Sequence, residues 1–212
     1  IMPTTGELKL NPGTEDNPDS GYRSRFSHET EKSMPGYYEV MLDDYKVKAQ
    51  LTATQRVGVH KYTFPKSGDG RIILDLNHGI YNYDGKTLWA SIRVESPTLI
   101  TGYRITNGWA RTNYTYFAIS FSQPIENYGY QDFEKILYRG FWRKFQVNKN
   151  FPEMAGRKVV SYFEFDTEAN AEVVVKVALS ATSTDGAVKN LMAEAATNDF
   201  DAIASQTSNE WN

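Results

Sequence analysis

The sequence predicts an all-β protein, an antiparallel sandwich or barrel followed by a short helical tail. Three observations carry this. From residue 3 to about residue 182 the apolar runs are short, rich in Val, Ile, Tyr, Phe and Thr, and separated by Gly, Pro, Asn and Asp. The clearest run, Val47 to Gln55, alternates with period two, with Val47, Ala49, Leu51 and Ala53 on one face and Lys48, Gln50, Thr52 and Thr54 on the other. No helical pattern of three turns occurs before residue 185 or so. Many short strands with such turns mean a closed or layered β fold.

The elements follow in order. Gly36 to Leu42 is a strand that ends at Asp43-Asp44. Val47 to Gln55 is next, then Val59 to Phe64, stopped by Pro65. The turn cluster 66–70 leads into Arg71 to Leu76. Gly79 to Tyr83 and Thr87 to Glu95 are strands on either side of Asp84-Gly85, a two-residue hairpin signal because glycine accepts positive φ. Leu99 to Thr106, Thr115 to Phe121, Val159 to Phe165 and Glu172 to Ser180 continue the series, giving about eleven strands. The stretch 124–158 is the hardest to read. Asn127, Gly129 and Tyr130 suggest loop, and Asp132 to Trp142 suits either a short helix or a strand pair.

After Ser180 the pattern changes. Ser183, Thr184 and Asp185 offer capping oxygens before Ala187 to Ala196, which is strong helix-forming sequence. Asn198-Asp199 offers a second cap, before Phe200 to Asn209. Val188, Leu191 and Met192 are expected on one apolar face, Phe200 and Ile203 on another. The chain ends at Trp211-Asn212 inside this partly apolar stretch, which reads as a cut ahead of a helical partner. The organisation expected is a β domain over 1–182 and a helical linker over 183–212.

Composition narrows the function classes. The 212 residues include 29 aromatics, too many for a disordered chain. No apolar run approaches the roughly 20 residues of a membrane span. The 23 basic and 26 acidic residues leave a net charge of −3, so no basic field is available for nucleic acid. With no cysteine, thiolate metal sites and cysteine nucleophiles are excluded.

Site motifs are sparse. His28, His60 and His78 lie too far apart in sequence for zinc spacing. His28, Glu29 and Glu31 form one local cluster, whose ordinary reading is a hydrogen-bonded polar loop. Asp43-Asp44 and the group Glu15, Asp16, Asn17 and Asp19 offer oxygens for calcium without meeting the EF-hand pattern. No nucleophile elbow, P-loop or dinucleotide fingerprint occurs. Two acids could serve glycoside hydrolysis, but nothing in the sequence selects a pair. Tyr81, Tyr83, Trp89, Trp109, Tyr114, Tyr116, Tyr128 and Tyr130 could stack sugars, or simply fill a wide core. No catalytic or metal-binding residue is assigned. One glycosylation sequon, Asn113-Tyr114-Thr115, carries no weight.

Four longer strings do carry a signal: MPTTGELKLNPG (2–13), SRFSHETEKSMPGYYEVMLDDYKVKAQLTATQRVGVHKYTFP (24–65), ILDLNHGI (73–80) and VVVKVALSATSTDGAVKNLMAEAATNDFDAI (173–203). Together they resemble the N-terminal β-sandwich domain of glycoside hydrolase family 92, the calcium-dependent exo-α-mannosidases. The resemblance covers nearly the whole chain. It implies an antiparallel sandwich of two large sheets that packs, through joining helices, on a C-terminal (α/α)6 domain. It places the acid, the base and the calcium ligands in that absent domain. It also places two glycine- and histidine-rich sugar-binding stretches upstream of Ile1.

On that basis the chain is a slice of sandwich lacking its first strands, with unpaired sheet edges and bare apolar helix faces. It then either associates with a second copy or has a core to which those strands are peripheral. The parent would release terminal α-mannose, commonly α-1,2-linked, with inversion. It would be periplasmic, cell-surface or secreted. Calcium is expected in the parent and not in this chain, with α-mannosyl glycans as partners. The competing readings are a stand-alone sugar-binding sandwich and a purely structural module for a helical domain.

Overall fold

A computed structural model describes residues 1–79, 83, 85–132, 152–197 and 199–211. Among these residues the chain forms thirteen strands and two α-helices. The strands are β1 (Met2–Thr4), β2 (Lys32–Met34), β3 (Tyr37–Leu42), β4 (Val47–Ala53), β5 (Val57–Thr63), β6 (Arg71–Asp75) and β7 (Thr87–Ser96). They continue with β8 (Leu99–Thr106), β9 (Asn113–Phe121), β10 (Asn127–Asp132), β11 (Glu153–Gly156), β12 (Val159–Glu164) and β13 (Glu172–Ser180). The helices are α1 (Thr184–Glu194) and α2 (Phe200–Trp211).

All described strand pairs are antiparallel and fall into two sheets. The small sheet has the order β1-β6-β12-β10 and the large sheet β11-β7-β8-β9-β13-β5-β4-β3-β2. Their inner faces share one core. Ile72, Leu74, Val159 and Phe163 of the small sheet meet Ile92, Ile100, Phe117, Ile119, Val173 and Val175 of the large one. Alternation explains this, since residues two apart on a strand share a face. The architecture is a sandwich, so the barrel alternative is set aside.

A glycine is required on β8, inside the large sheet. A Cβ at Gly102 would lie 2.1 Å from the Ser91 carbonyl oxygen and 2.4 Å from Phe117 Cζ, so the Phe117 ring occupies that space instead. Gly36 turns the chain from β2 to β3 with φ of 78°, and α2 seats there through Thr207 and Ser208.

Several sequence expectations need correction. The helices do not present bare apolar faces. Ala187, Leu191, Ala195, Phe200 and Ile203 are buried against Val57, Val59, Ala118, Val174 and Ala178 on the outer face of the large sheet. Met192 is not part of that face and is exposed. The polar side of β4 is covered too: Gln50 and Thr52 are buried, and Thr52 Oγ1 donates to the Gly36 carbonyl at 2.7 Å. Asn127, Gly129 and Tyr130 lie in a strand rather than a loop, because β12 offers a full antiparallel ladder to β10. The edge strands β1, β2 and β11 were not foreseen. They are three or four residues long, which limits the unpaired backbone they expose. The interior of the strand expected at Gly79 to Tyr83, residue Asp84, and most of Asp132 to Trp142 lie outside the described residues.

Both helix caps are as the sequence implies. Ser183 Oγ accepts from the Gly186 N–H at 2.9 Å, and Asp199 Oδ1 from the Ala202 N–H at 2.9 Å. The end of α1 is held by a buried lysine on β13. Lys176 Nζ donates to the carbonyls of Ala195 at 2.9 Å and Thr197 at 3.2 Å, where the helix dipole favours a cation.

Candidate functional site

One end of the sandwich gathers polar side chains around a cavity. β6 ends at Asp75, on the outer face of the small sheet opposite Val160. Asp75 Oδ1 accepts from the backbone N–H of Asn77 at 2.7 Å and of His78 at 3.1 Å, so the carboxylate holds a turn of its own chain. Its Oδ2 accepts from the Tyr22 hydroxyl at 2.7 Å. Arg104 of β8 holds the same turn from inside. Nη1 donates to the His78 carbonyl at 2.8 Å, and Nη2 to the Asn77 carbonyl at 3.3 Å and to Thr87 Oγ1 at 3.1 Å. Burial lowers the pKa of Arg104 and the nearby Asp75 charge opposes this. The guanidinium stays charged because its ordinary value is so high.

A cavity of about 460 Å³ opens beside this turn, with Asn77, Tyr83, Lys86, Arg157 and Lys158 among its lining residues. The Tyr83 hydroxyl donates to the Asn107 carbonyl at 2.8 Å, and the Asn107 N–H donates to the Lys86 carbonyl at 2.8 Å. These bonds tie the cavity wall to the β8–β9 hairpin, whose tip projects a fully exposed Trp109.

The candidate aromatics do not form one platform. Tyr130 is buried in the core, and Tyr128 packs at its edge on Phe163. Tyr83 and Trp109 stand at the cavity end, and Tyr81 lies outside the described residues. Trp89, Tyr114 and Tyr116 share the outer face of the large sheet, beyond α1. Register adds Tyr103, which the sequence reading missed: it pairs with Tyr116 on one side and Ser91 on the other. Tyr114 and Tyr116 lie nearly parallel at 6.0 Å, and Tyr103 is tilted against Tyr116 at 6.0 Å. Tyr103 was hidden because only pairing across strands puts it in this stripe.

The charged clusters serve the fold. His28 Nδ1 lies 2.5 Å from Glu31 Oε2, and the Tyr38 hydroxyl donates to Glu31 Oε1 at 2.6 Å. The Tyr38 bond, then the His28 bond, pull the Glu31 carboxyl below its ordinary pKa. Glu29 is exposed, and its backbone N–H is capped by Ser27 Oγ at 3.2 Å. Asp44 accepts from the backbone N–H of Arg25 at 2.7 Å and from its Nε at 2.8 Å, so the Asp43-Asp44 pair closes a loop. In the Glu15 to Asp19 stretch, Asp19 lies 3.6 Å from the Arg25 guanidinium. His60 faces the sandwich interior, with Nδ1 2.7 Å from the Tyr62 hydroxyl. His78 is exposed at the cavity.

Among the described residues no three His, Asp or Glu side chains converge as a metal site. Every described carboxyl with a shifted pKa (Glu31, Glu39, Asp44, Asp69 and Glu194) is pulled down. Their partners hold them ionised, whereas a general acid needs the opposite.

Comparison with known proteins matches this fold. Residues 1–180 match the glycosyl hydrolase family 92 N-terminal domain, and the chain belongs to that family. The α-mannosidase BT3965 from Bacteroides thetaiotaomicron, also solved in complex with mannoimidazole, superposes with a TM-score of 0.85 at 36% identity, over 99% of this chain and 27% of that one. The inverting mannosidase BT2199 from the same species gives 0.78 at 26% identity, over 99% of this chain and 25% of that one. The chain therefore spans about a quarter of these proteins. The glycosyl hydrolase ccman5, at 23% identity and a TM-score of 0.76, shares the fold. No curated protein matches the chain significantly.

Proposed function

We propose that this chain is the N-terminal sandwich of an exo-α-mannosidase, serving as scaffold and cleft wall for a C-terminal (α/α)6 catalytic domain. The observation that carries this is the family match across the whole sandwich, together with solved mannosidases of which it covers about a quarter. The parent releases terminal α-mannose, most readily α-1,2-linked, by single displacement with inversion. Calcium bound in the other domain assists. Helices α1 and α2 are the linker, and their packing on the large sheet sets the direction in which the chain leaves the sandwich. The parent acts in the periplasm, at the cell surface or in the medium.

A second reading is a sugar-binding sandwich, favoured by the stripe of Trp89, Tyr103, Tyr114 and Tyr116. The test is mannose release from α-1,2-mannobiose with calcium, by the purified chain and by the parent enzyme. The folded chain should release none, and the parent should release mannose until calcium is chelated. Calcium-dependent release by the chain alone would overturn this division of labour. Retention of the chain on mannan without hydrolysis would favour the second reading.

A further inference from the structure

The outer face of the large sheet changes character at α1. Under the helices it is purely apolar, with Val57, Val59, Ala118, Val174 and Ala178 packed on Leu191, Phe200 and Ile203. Beyond α1, strand pairing sets two rows across β7, β8 and β9: Trp89, Ile105 and Tyr114 in one, Ser91, Tyr103 and Tyr116 in the other. Three neighbouring strands make a flat surface about 10 Å across. On it the Tyr114 and Tyr116 rings lie within 13° of parallel. Here the rings carry polar tips. Among the described residues none of the hydroxyls of Tyr103, Tyr114 and Tyr116 is bonded to the protein, and none is buried.

The surroundings narrow the ligand. The charges beside the rows on β7 compensate each other: Arg93 Nε lies 3.4 Å from Glu95 Oε2, and Glu95 Oε1 accepts from Thr101 Oγ1 at 2.7 Å. Tyr114 also walls a groove of about 570 Å³ between β9 and the start of α1. Asn113, Ser180, Thr182 and Asn190 bring amides and hydroxyls to that groove. Its Arg56 is held by Glu194, and Lys189 is exposed. Aromatic rings with free hydroxyls, next to neutral amides and hydroxyls, suit a ligand that has apolar faces, many hydroxyls and no charge. A protein partner would be met better by an apolar patch like the one under α1.

We propose that this stripe and the groove beside it bind a neutral glycan chain, without cleaving it. Sugar rings lie along Trp89, Tyr103, Tyr116 and Tyr114, and their hydroxyls meet the tyrosine hydroxyls and the Asn113 amide. The surface is long enough to take several units rather than one. This deepens the sugar-binding reading above and rests on it. It holds whether or not the chain also serves as the scaffold of a mannosidase.

Calorimetric titration of the 212-residue chain tests it, with mannose, mannohexaose and hexagalacturonate as probes. Mannohexaose should bind at least about tenfold more tightly than mannose or hexagalacturonate. Tyr114→Ala, at an exposed ring, and Tyr116→Ala should each weaken that binding at least about fivefold, whereas Tyr116→Phe, which keeps the ring, should weaken it less. Phe26→Ala removes an exposed ring from the loop before β2 and should change nothing. No mannohexaose binding below about 20 mM would overturn both this proposal and the sugar-binding reading. Binding that both alanine variants retain in full, or that Phe26→Ala weakens equally, would put the sugar elsewhere and overturn this proposal alone. Hexagalacturonate binding as tightly as mannohexaose would do the same. So would hydroxyl-radical footprinting in which Tyr114 reacts in this chain but not in the parent enzyme, because the other domain would then cover the stripe.

Discussion

His60 gives the sharpest test of how the sandwich responds to pH. It lies on the inner face of β5, opposite Val175 of β13 and Leu51 of β4. Burial of the ring, then the positive charge of the Ile1 amino group, lowers its pKa to about 4, against 6.5 for the unperturbed group. The folded state therefore holds His60 neutral at pH values where the unfolded chain protonates it. Between pH 6.5 and 4 the unfolded state binds more protons, so stability falls as pH falls. This one group removes about 1 kcal/mol by pH 5.5 and about 2–3 kcal/mol by pH 4.5.

His60→Gln keeps a polar group that can still meet the Tyr62 hydroxyl but removes the titration. Urea unfolding of both proteins at pH 7.5 and 4.5 isolates the effect from other titrating groups. The parent chain should lose about 2–3 kcal/mol more than the variant over that interval. Equal losses, within about 0.5 kcal/mol, would refute the reasoning and mean that His60 is solvated in the folded state.

Three other expectations follow from the packing and charges. Phe200→Ala should cost about 3–5 kcal/mol by urea unfolding, because that ring is buried between α2 and the large sheet; a cost below about 1 kcal/mol would mean the helix is not docked in solution. Burial raises the Glu39 carboxyl, but the Tyr37 hydroxyl and the Lys48 and Lys32 ammonium groups outweigh it and pull the pKa to about 2. Its contribution is fully present above the ordinary carboxyl value of 4.5 and is lost as pH falls towards 2, so Glu39→Gln should cost about 1–3 kcal/mol at pH 7 and much less at pH 2.5. Lys176→Met should cost about 1–3 kcal/mol by stranding the Ala195 and Thr197 carbonyls, with hydrogen exchange rising at the end of α1.

Period-two alternation placed β4, while β8 and β13 were placed as runs rich in β-forming residues between turns, and β13 is buried on both sides. The helical tail was legible for a similar reason, as Ser183 and Asp199 announce the starts of α1 and α2 in their own side chains. The three-residue strands β1 and β2 were not legible. Segments that short carry no period, and only their partners make them strands.

Local chemistry thus determined the strand series, the caps and the family resemblance, because each depends on residues near one another in the chain. Sheet order, the docking of α1 and α2 on Val57, Val59 and Val174, the Tyr103 stripe and the Asn77 cavity were decided by the tertiary structure alone. The cavity joins residues 10–12, 75, 77, 78, 83, 85–87, 157, 158 and 160, stretches far apart in sequence. No periodicity or spacing encodes a meeting of that kind. It follows from which strands pair, and that is settled by the burial of the whole core.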